Sequence, residues 1–217
     1  MESSLDTSQA YKIKNIGING YLDTYDGYDR ADNSDWHYGG RVQIGNIDVG
    51  GHSKAVVNQI WQLIDHGDNK WKIQNIGNGG YLDTYGGYDR DPGNDDWHYN
   101  GRVQIGYDNV SPHNQCGFNN QTWKFIDQGD NIYKLESCMG GYLDTYGGYD
   151  KDPEVHNHSH HGGRVQIGKD DCTPDNEGGY ANQTWRLILC GAVEDYSSRV
   201  NSTKWVRAEP GDVKKKS

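Results

Sequence analysis

The chain has 217 residues, with 21 basic against 31 acidic side chains and a formal charge of −10, so it repels a phosphate backbone and nucleic acid is not expected as a partner. Its 30 Gly, 16 Tyr and 7 Trp, beside only 2 Phe and 2 Met, are poor material for amphipathic helices and favour turn-rich β structure. No stretch reaches the ~18 apolar residues of a membrane span, and MESSLDTSQA at residues 1–10 has neither a basic start nor an apolar run; the expectation is a soluble chain without membrane insertion or secretion signal, cytoplasmic or non-classically released.

In chain order, a tail over residues 1–10 leads to a first strand at Tyr11-Lys-Ile-Lys-Asn15, and this strand opens a unit that returns at Trp71-Lys-Ile-Gln-Asn75 and Tyr133-Lys-Leu-Glu-Ser137. The second strand is Gly-Tyr-Leu-Asp-Thr-Tyr at 20–25, 80–85 and 141–146. After a long loop the third is Gly-Arg-Val-Gln-Ile-Gly at 40–45, 101–106 and 163–168. Each unit closes with Asn-Gln-x-Trp, at 58–61, 120–123 and 182–185, which leads into the fourth strand. Three copies in fixed order decide the fold. The units are about 11–70, 71–132 and 133–190, with four strands each and twelve in all. Alternation predicts Val103 and Ile105 inward with Arg102 and Gln104 outward, and Trp123 and Phe125 on one face with Lys124 opposite. One unit cannot bury its face alone. Three sharing a core make an all-β closed barrel of pseudo-threefold symmetry, the β-trefoil, whereas a propeller needs more blades. Residues 191–217 do not match the repeat and read as a C-terminal extension, either a partly ordered tail packed by Trp205 or a linker stub.

The triplets Gln59-Ile-Trp61, Gln121-Thr-Trp123 and Gln183-Thr-Trp185 recur 62 residues apart and resemble the triple Gln-x-Trp signature of the ricin B-chain-like (R-type) lectins, over about residues 11–190. The Trp residues are expected as core anchors, and the Gln residues as partners for backbone groups where strands leave the barrel. The resemblance implies a non-enzymatic lectin with one shallow sugar site per unit. Its floor combines an Asp ending the second strand, a Gln on the third and the Asn before Gln-x-Trp. Here these are Asp23, Gln43 and Asn58; Asp83, Gln104 and Asn120; Asp144, Gln166 and Asn182. A carboxylate accepts bonds from vicinal hydroxyls while amides donate to sugar oxygens. The family's set implies galactose or N-acetylgalactosamine, and three sites on one body imply multivalent adhesion to clustered glycans, or agglutination.

The sequence departs from the family at one position. The aromatic expected two residues after the Gln is Gly45, Gly106 and Gly168, so the ring that stacks on a sugar must come from the preceding loop. Candidates are Tyr25, Tyr85 and Tyr146, then Tyr28, Tyr88 and Tyr149, with His37, His98 and His160 equivalent when counted from the shared Arg. Trp36 and Trp97 precede two of these. Ser159 replaces the Trp in the third copy and His161 replaces Tyr38 and Tyr99, so copies one and two are expected to bind alike and copy three to differ or fail.

Other chemistries are weighed against this. Asp83, Asp89, Asp91, Asp95 and Asp96 place hard oxygen ligands densely enough for Ca²⁺, without EF-hand spacing. His156-Asn-His-Ser-His-His161 suits adventitious transition-metal capture. No cofactor or built metal site is expected. Glycoside cleavage needs an acid pair about one bond, whereas these acids recur in three equivalent places. A protein-interaction trefoil, such as a protease inhibitor or actin-associated protein, would bind through one irregular loop rather than three similar ones. Cys116, Cys138, Cys172 and Cys190 lack zinc spacing and do not follow the repeat. The sequons at Asn120 and Asn182 overlap the core motif, which favours a setting without N-glycosylation.

Overall fold

A computed structural model of the chain describes residues 5–24, 38–45, 54–84, 99–106, 109–145, 161–169 and 171–200. Fifteen short strands form one continuous sheet. The first unit holds β1 (Gln9–Asn15), β2 (Tyr21–Asp23), β3 (Tyr38–Arg41), β4 (Gln43–Gly45) and β5 (Trp61–Asp65). The second holds β6 (Trp71–Asn75), β7 (Tyr81–Asp83), β8 (Tyr99–Arg102), β9 (Gln104–Gly106) and β10 (Trp123–Asp127). The third holds β11 (Ile132–Ser137), β12 (Tyr142–Asp144), β13 (His161–Arg164), β14 (Gln166–Gly168) and β15 (Thr184–Ala192).

The count exceeds the expected twelve because each third strand breaks at a buried valine, Val42, Val103 or Val165. The two halves serve different neighbours. β4, β9 and β14 pair with β2, β7 and β12 of their own units. The other halves cross over: β3 pairs β9, β8 pairs β14 and β13 pairs β4. These three crossovers form a cyclic cap. The remaining six strands close a ring in the order β1, β5, β6, β10, β11, β15 and back to β1. A closed six-stranded barrel with a threefold hairpin cap is the β-trefoil.

Trp61, Trp123 and Trp185 are fully buried at the centre with Ile13, Leu22, Leu63, Ile73, Leu82, Ile105 and Leu143. Val103, Ile105, Trp123 and Phe125 face inward as the alternation predicts, and Lys124 is half-buried on the other face. Each indole also donates its N–H to the carbonyl just before the site aspartate: Leu22 at 3.0 Å, Leu82 at 3.0 Å and Leu143 at 2.9 Å. The Trp therefore fills the barrel and pins the short strand that carries the acid. Trp123→Phe keeps a ring but orphans the buried Leu82 carbonyl; a loss of about 2 kcal/mol in urea unfolding is expected, and an unchanged midpoint would refute the tether.

β1 begins at Gln9, and β15 continues through Gly191 to Ala192 into α3 (Val193–Val200). The residues just beyond the repeat are thus an ordered helix, packed on a second cluster around Ala10, Val56 and Ile60 and tied by the Tyr196 hydroxyl to the Cys190 carbonyl at 2.9 Å. Trp205 lies outside the described residues. No disulfide joins Cys116, Cys138, Cys172 and Cys190. Among the described residues, no helix is long and apolar enough to cross a membrane.

Candidate functional site

Antiparallel pairing places the acid and amide of each unit directly opposite one another. Asp23 faces Gln43, Asp83 faces Gln104 and Asp144 faces Gln166. Residues opposed in this way share a face with Cβ atoms roughly 5 Å apart. The third member arrives on a short helical turn before the closing motif: Asn58 in the 3-10 helix Lys54–Gln59, Asn120 at the end of α1 (Gln115–Asn120) and Asn182 in α2 (Glu177–Gln183). Backbone bonds hold two of these turns to the residue after the acid, Thr24 N–H donating to Asn58 O at 3.3 Å and Thr84 N–H to Asn120 O at 3.0 Å. Asn15 reaches across from the first unit to donate to Asn182 O at 2.7 Å. The acid and amide predicted from the repeat therefore oppose one another in all three units, and the asparagine turn is tied to the acid's strand in the first two. Tyr25, Tyr28, Trp36, His37, Tyr85, Tyr88, Trp97, His98, Tyr146, Tyr149 and His160 lie outside the described residues, as do Asp89 to Asp96 and His156 to Ser159. Among the described residues no cluster of metal-ligating groups occurs.

Two expectations change. The acids are neither exposed nor unpaired: Asp23, Asp83 and Asp144 are only 5%, 6% and 6% exposed, and Gln59 of the first triplet donates its amide to Asp23 Oδ2 at 2.8 Å. The Gln of the motif also does more than satisfy backbone. Its oxygen accepts from Val110 N–H at 3.1 Å in the second unit and Cys172 N–H at 2.9 Å in the third, and its nitrogen lies beside the same glycine as the acid oxygen, at Gly106 and Gly168. Gln43 and Gln166 do not point out to solvent either, being 7% and 9% exposed, whereas Gln104 is half-buried.

The same packing explains why the family's aromatic is missing. A Cβ on Gly45 would lie 2.7 Å from Gln59 Nε2 and 2.8 Å from Asp23 Oδ2. On Gly106 it would lie 2.7 Å from Asp83 Oδ2 and 2.9 Å from Gln121 Nε2, and on Gly168 2.7 Å from Asp144 Oδ2 and 2.8 Å from Gln183 Nε2. The glycine is the only residue that leaves room for the acid–amide contact behind it.

Beneath each floor lies a buried lysine that sequence reasoning missed. Lys12, Lys72 and Lys134 place their ammonium groups 5.5, 5.2 and 5.4 Å from the ring centres of Tyr21, Tyr81 and Tyr142. The available signal was the Lys kept at the second position of every first strand while the fourth changes from Lys14 to Gln74 to Glu136. Burial pulls Lys72 down from its ordinary value to about 8, opposed by the nearby charge of Asp83. Burial likewise pushes the Tyr81 phenol up.

Among the described residues, the amide nitrogens of Gln43, Gln104 and Gln166 are all buried and make no hydrogen bond, and Asn120 Oδ1, Thr24 Oγ1, Asn78 Nδ2 and Thr145 Oγ1 are unsatisfied as well. A buried donor left unpaired costs about 1–3 kcal/mol.

Comparison with known proteins agrees with this architecture. No curated protein matches the sequence. Of solved structures, the chain is similar to the designed threefold-symmetric protein ThreeFoil at 23% identity and a TM-score of 0.51, with 82% of this chain and 97% of that one covered. It is similar at 24% identity and a TM-score of 0.53 to 1,3Gal43A, an exo-β-1,3-galactanase from Clostridium thermocellum, over 84% of this chain but only 30% of the enzyme. A Culex quiquefasciatus salivary protein of the Cysteine and Tryptophan-Rich family matches at 15% identity and a TM-score of 0.53, over 86% and 99% of the two chains. These likenesses show a shared fold. The model of the family described as ricin-type beta-trefoil lectin domain-like matches residues 57–158, which run from the end of the first unit through most of the third unit's loop. The match covers a little under half of the chain, and with three Gln-x-Trp units closing one trefoil the chain is similar to the ricin-type β-trefoil lectin-like family.

Proposed function

We propose that this protein is a non-enzymatic carbohydrate-binding lectin with three equivalent shallow sites, one in each of the units 11–70, 71–132 and 133–190. The observation that carries the reading is the set of unpartnered buried donors on Gln43, Gln104 and Gln166, each opposite a buried carboxylate. A sugar hydroxyl answers both groups, because it accepts from the amide while donating to the acid. Vicinal hydroxyls fit the cross-strand spacing of acid and amide. The acid–amide–asparagine floor supports galactose or N-acetylgalactosamine as the sugar, with a loop aromatic from the Tyr25, Tyr85 and Tyr146 set covering its apolar face. Three sites on one rigid body favour clustered glycans through effective concentration.

Calorimetric titration with galactose and N-acetylgalactosamine, beside a glycan array, tests the reading. Saturable binding at about three sites per chain is expected. Silence on both would end it.

A further inference from the structure

We infer that Lys72 is a positioning residue for the second site: its ammonium holds the Gln121 amide that faces Asp83, so sugar affinity at that site falls when Lys72 loses its proton. The inference rests on the sugar-binding reading above. Lys72 is completely buried, and its three N–H donors meet three acceptors: Val110 O at 2.6 Å, Asn109 Oδ1 at 2.7 Å and Gln121 Oε1 at 3.3 Å. A neutral amine keeps two donors and turns a lone pair toward the third acceptor. The longest bond, that to Gln121, is the one given up. Gln121 then loses one donor on its oxygen while the Val110 N–H at 3.1 Å stays, and its amide, whose nitrogen lies close to Asp83 Oδ2 at Gly106, is held less firmly in place. The attraction between Lys72 and Asp83 ends in the same step.

The third unit is built differently at one residue. Asp171 stands where the second unit has Asn109, and Lys134 forms an ion pair with it and a hydrogen bond to the Cys172 carbonyl. Among the described residues, the second unit balances its lysine charge through Asn109, Val110, Gln121 and the site acid rather than through an ion pair at this position. Lys72 therefore links the site to pH, and its pKa near 8 sets the range.

Among the described residues, the other charged or titratable groups facing Lys72 are few. β7 brings Asp83 and the Tyr81 phenol, whose value burial pushes up. The end of β5 brings Asp65 and His66; burial and Lys72 hold the imidazole below its ordinary value, so it is neutral above pH 7. α1 brings the uncharged Phe118 ring, and β10 directs Lys124 to Glu136 at 3.1 Å. Between pH 7 and 9 the change at this place belongs to Lys72.

The test uses the full chain carrying Gln43→Met and Gln166→Met, so that only the second site reports, titrated with galactose at pH 7, 8 and 9. Losing a charge-assisted bond in favour of none is expected to weaken binding roughly fivefold between pH 7 and 9. Lys72→Met should show the weakened affinity at every pH, with a flat profile. Asn109→Asp supplies the carboxylate that the third unit carries and should keep the pH 7 affinity at pH 9, which a merely structural lysine would not produce. If Lys72→Met fails to fold by its melting curve, the parent profile and Asn109→Asp decide. A flat parent profile with binding intact at pH 7 overturns the role of Lys72 and leaves the sugar reading standing. No galactose binding by the unmutated chain at pH 7 overturns both.

Discussion

Replacing Gln43, Gln104 and Gln166 together by Met is expected to abolish glycan adhesion while leaving the fold as stable as before, or more stable. In most sites a ligand contact also serves the scaffold, and its removal confuses the two roles. Here the side-chain nitrogens make no bond among the described residues, so each is a cost to folding of about 1–3 kcal/mol that an apolar side chain of like volume removes. A sugar loses its amide donor three times over. Loss of one good hydrogen bond at each weak site weakens it about tenfold, and the product over a clustered surface takes adhesion below detection. The readouts are a glycan array or cell agglutination beside urea unfolding. Undiminished adhesion would show that these amides do not touch the sugar; a lowered unfolding midpoint would show that they have protein partners. Removing Asp23, Asp83 and Asp144 is less clean, because each acid is buried against the Gln of its closing motif and its loss disturbs the fold as well.

Gly106→Ala is expected to cost about 1–3 kcal/mol and to lower affinity at the second site, and Gly106→Trp, which restores the family's usual aromatic, is expected to prevent folding. One methyl group would stand 2.7 Å from Asp83 Oδ2 and 2.9 Å from Gln121 Nε2, so the pair must part or the strand must shift. An indole has nowhere to go. Parallel effects follow at Gly45 and Gly168, where the same two groups converge. The measurement is chemical denaturation of each alanine variant with calorimetry at pH 7. An alanine variant as stable as the parent would show that the acid–amide contact yields easily, and the steric account of the missing aromatic would fail.

Sequence carried much of this because the molecule repeats itself. Tyr-Leu-Asp, Val-Gln-Ile-Gly and Asn-Gln-x-Trp, met three times in order, are enough to place strands and core tryptophans, and the structure brings the acid and amide of each unit face to face. Two features were hidden for physical reasons. A lone Lys in a strand reads as a solvated residue, yet Lys12, Lys72 and Lys134 are buried because a tyrosine ring and fixed oxygens replace their water. The break at Val42, Val103 and Val165 leaves no local mark either, since it is imposed by strands some sixty residues away in the neighbouring unit. The burial of the acids follows from the same tertiary cause: the closing motif's Gln covers a carboxylate that a strand terminus would otherwise expose.

The cyclic cap has a consequence for how the molecule can be shortened. Each floor borrows one edge from the unit before it in the ring: Gln43 lies opposite Arg164, Gln104 opposite Arg41 and Gln166 opposite Arg102. A fragment lacking the second unit keeps two aspartates and two glutamines but supports only the first floor on both flanks. Valency and architecture are therefore one property, and a truncated form is not two-thirds of the whole.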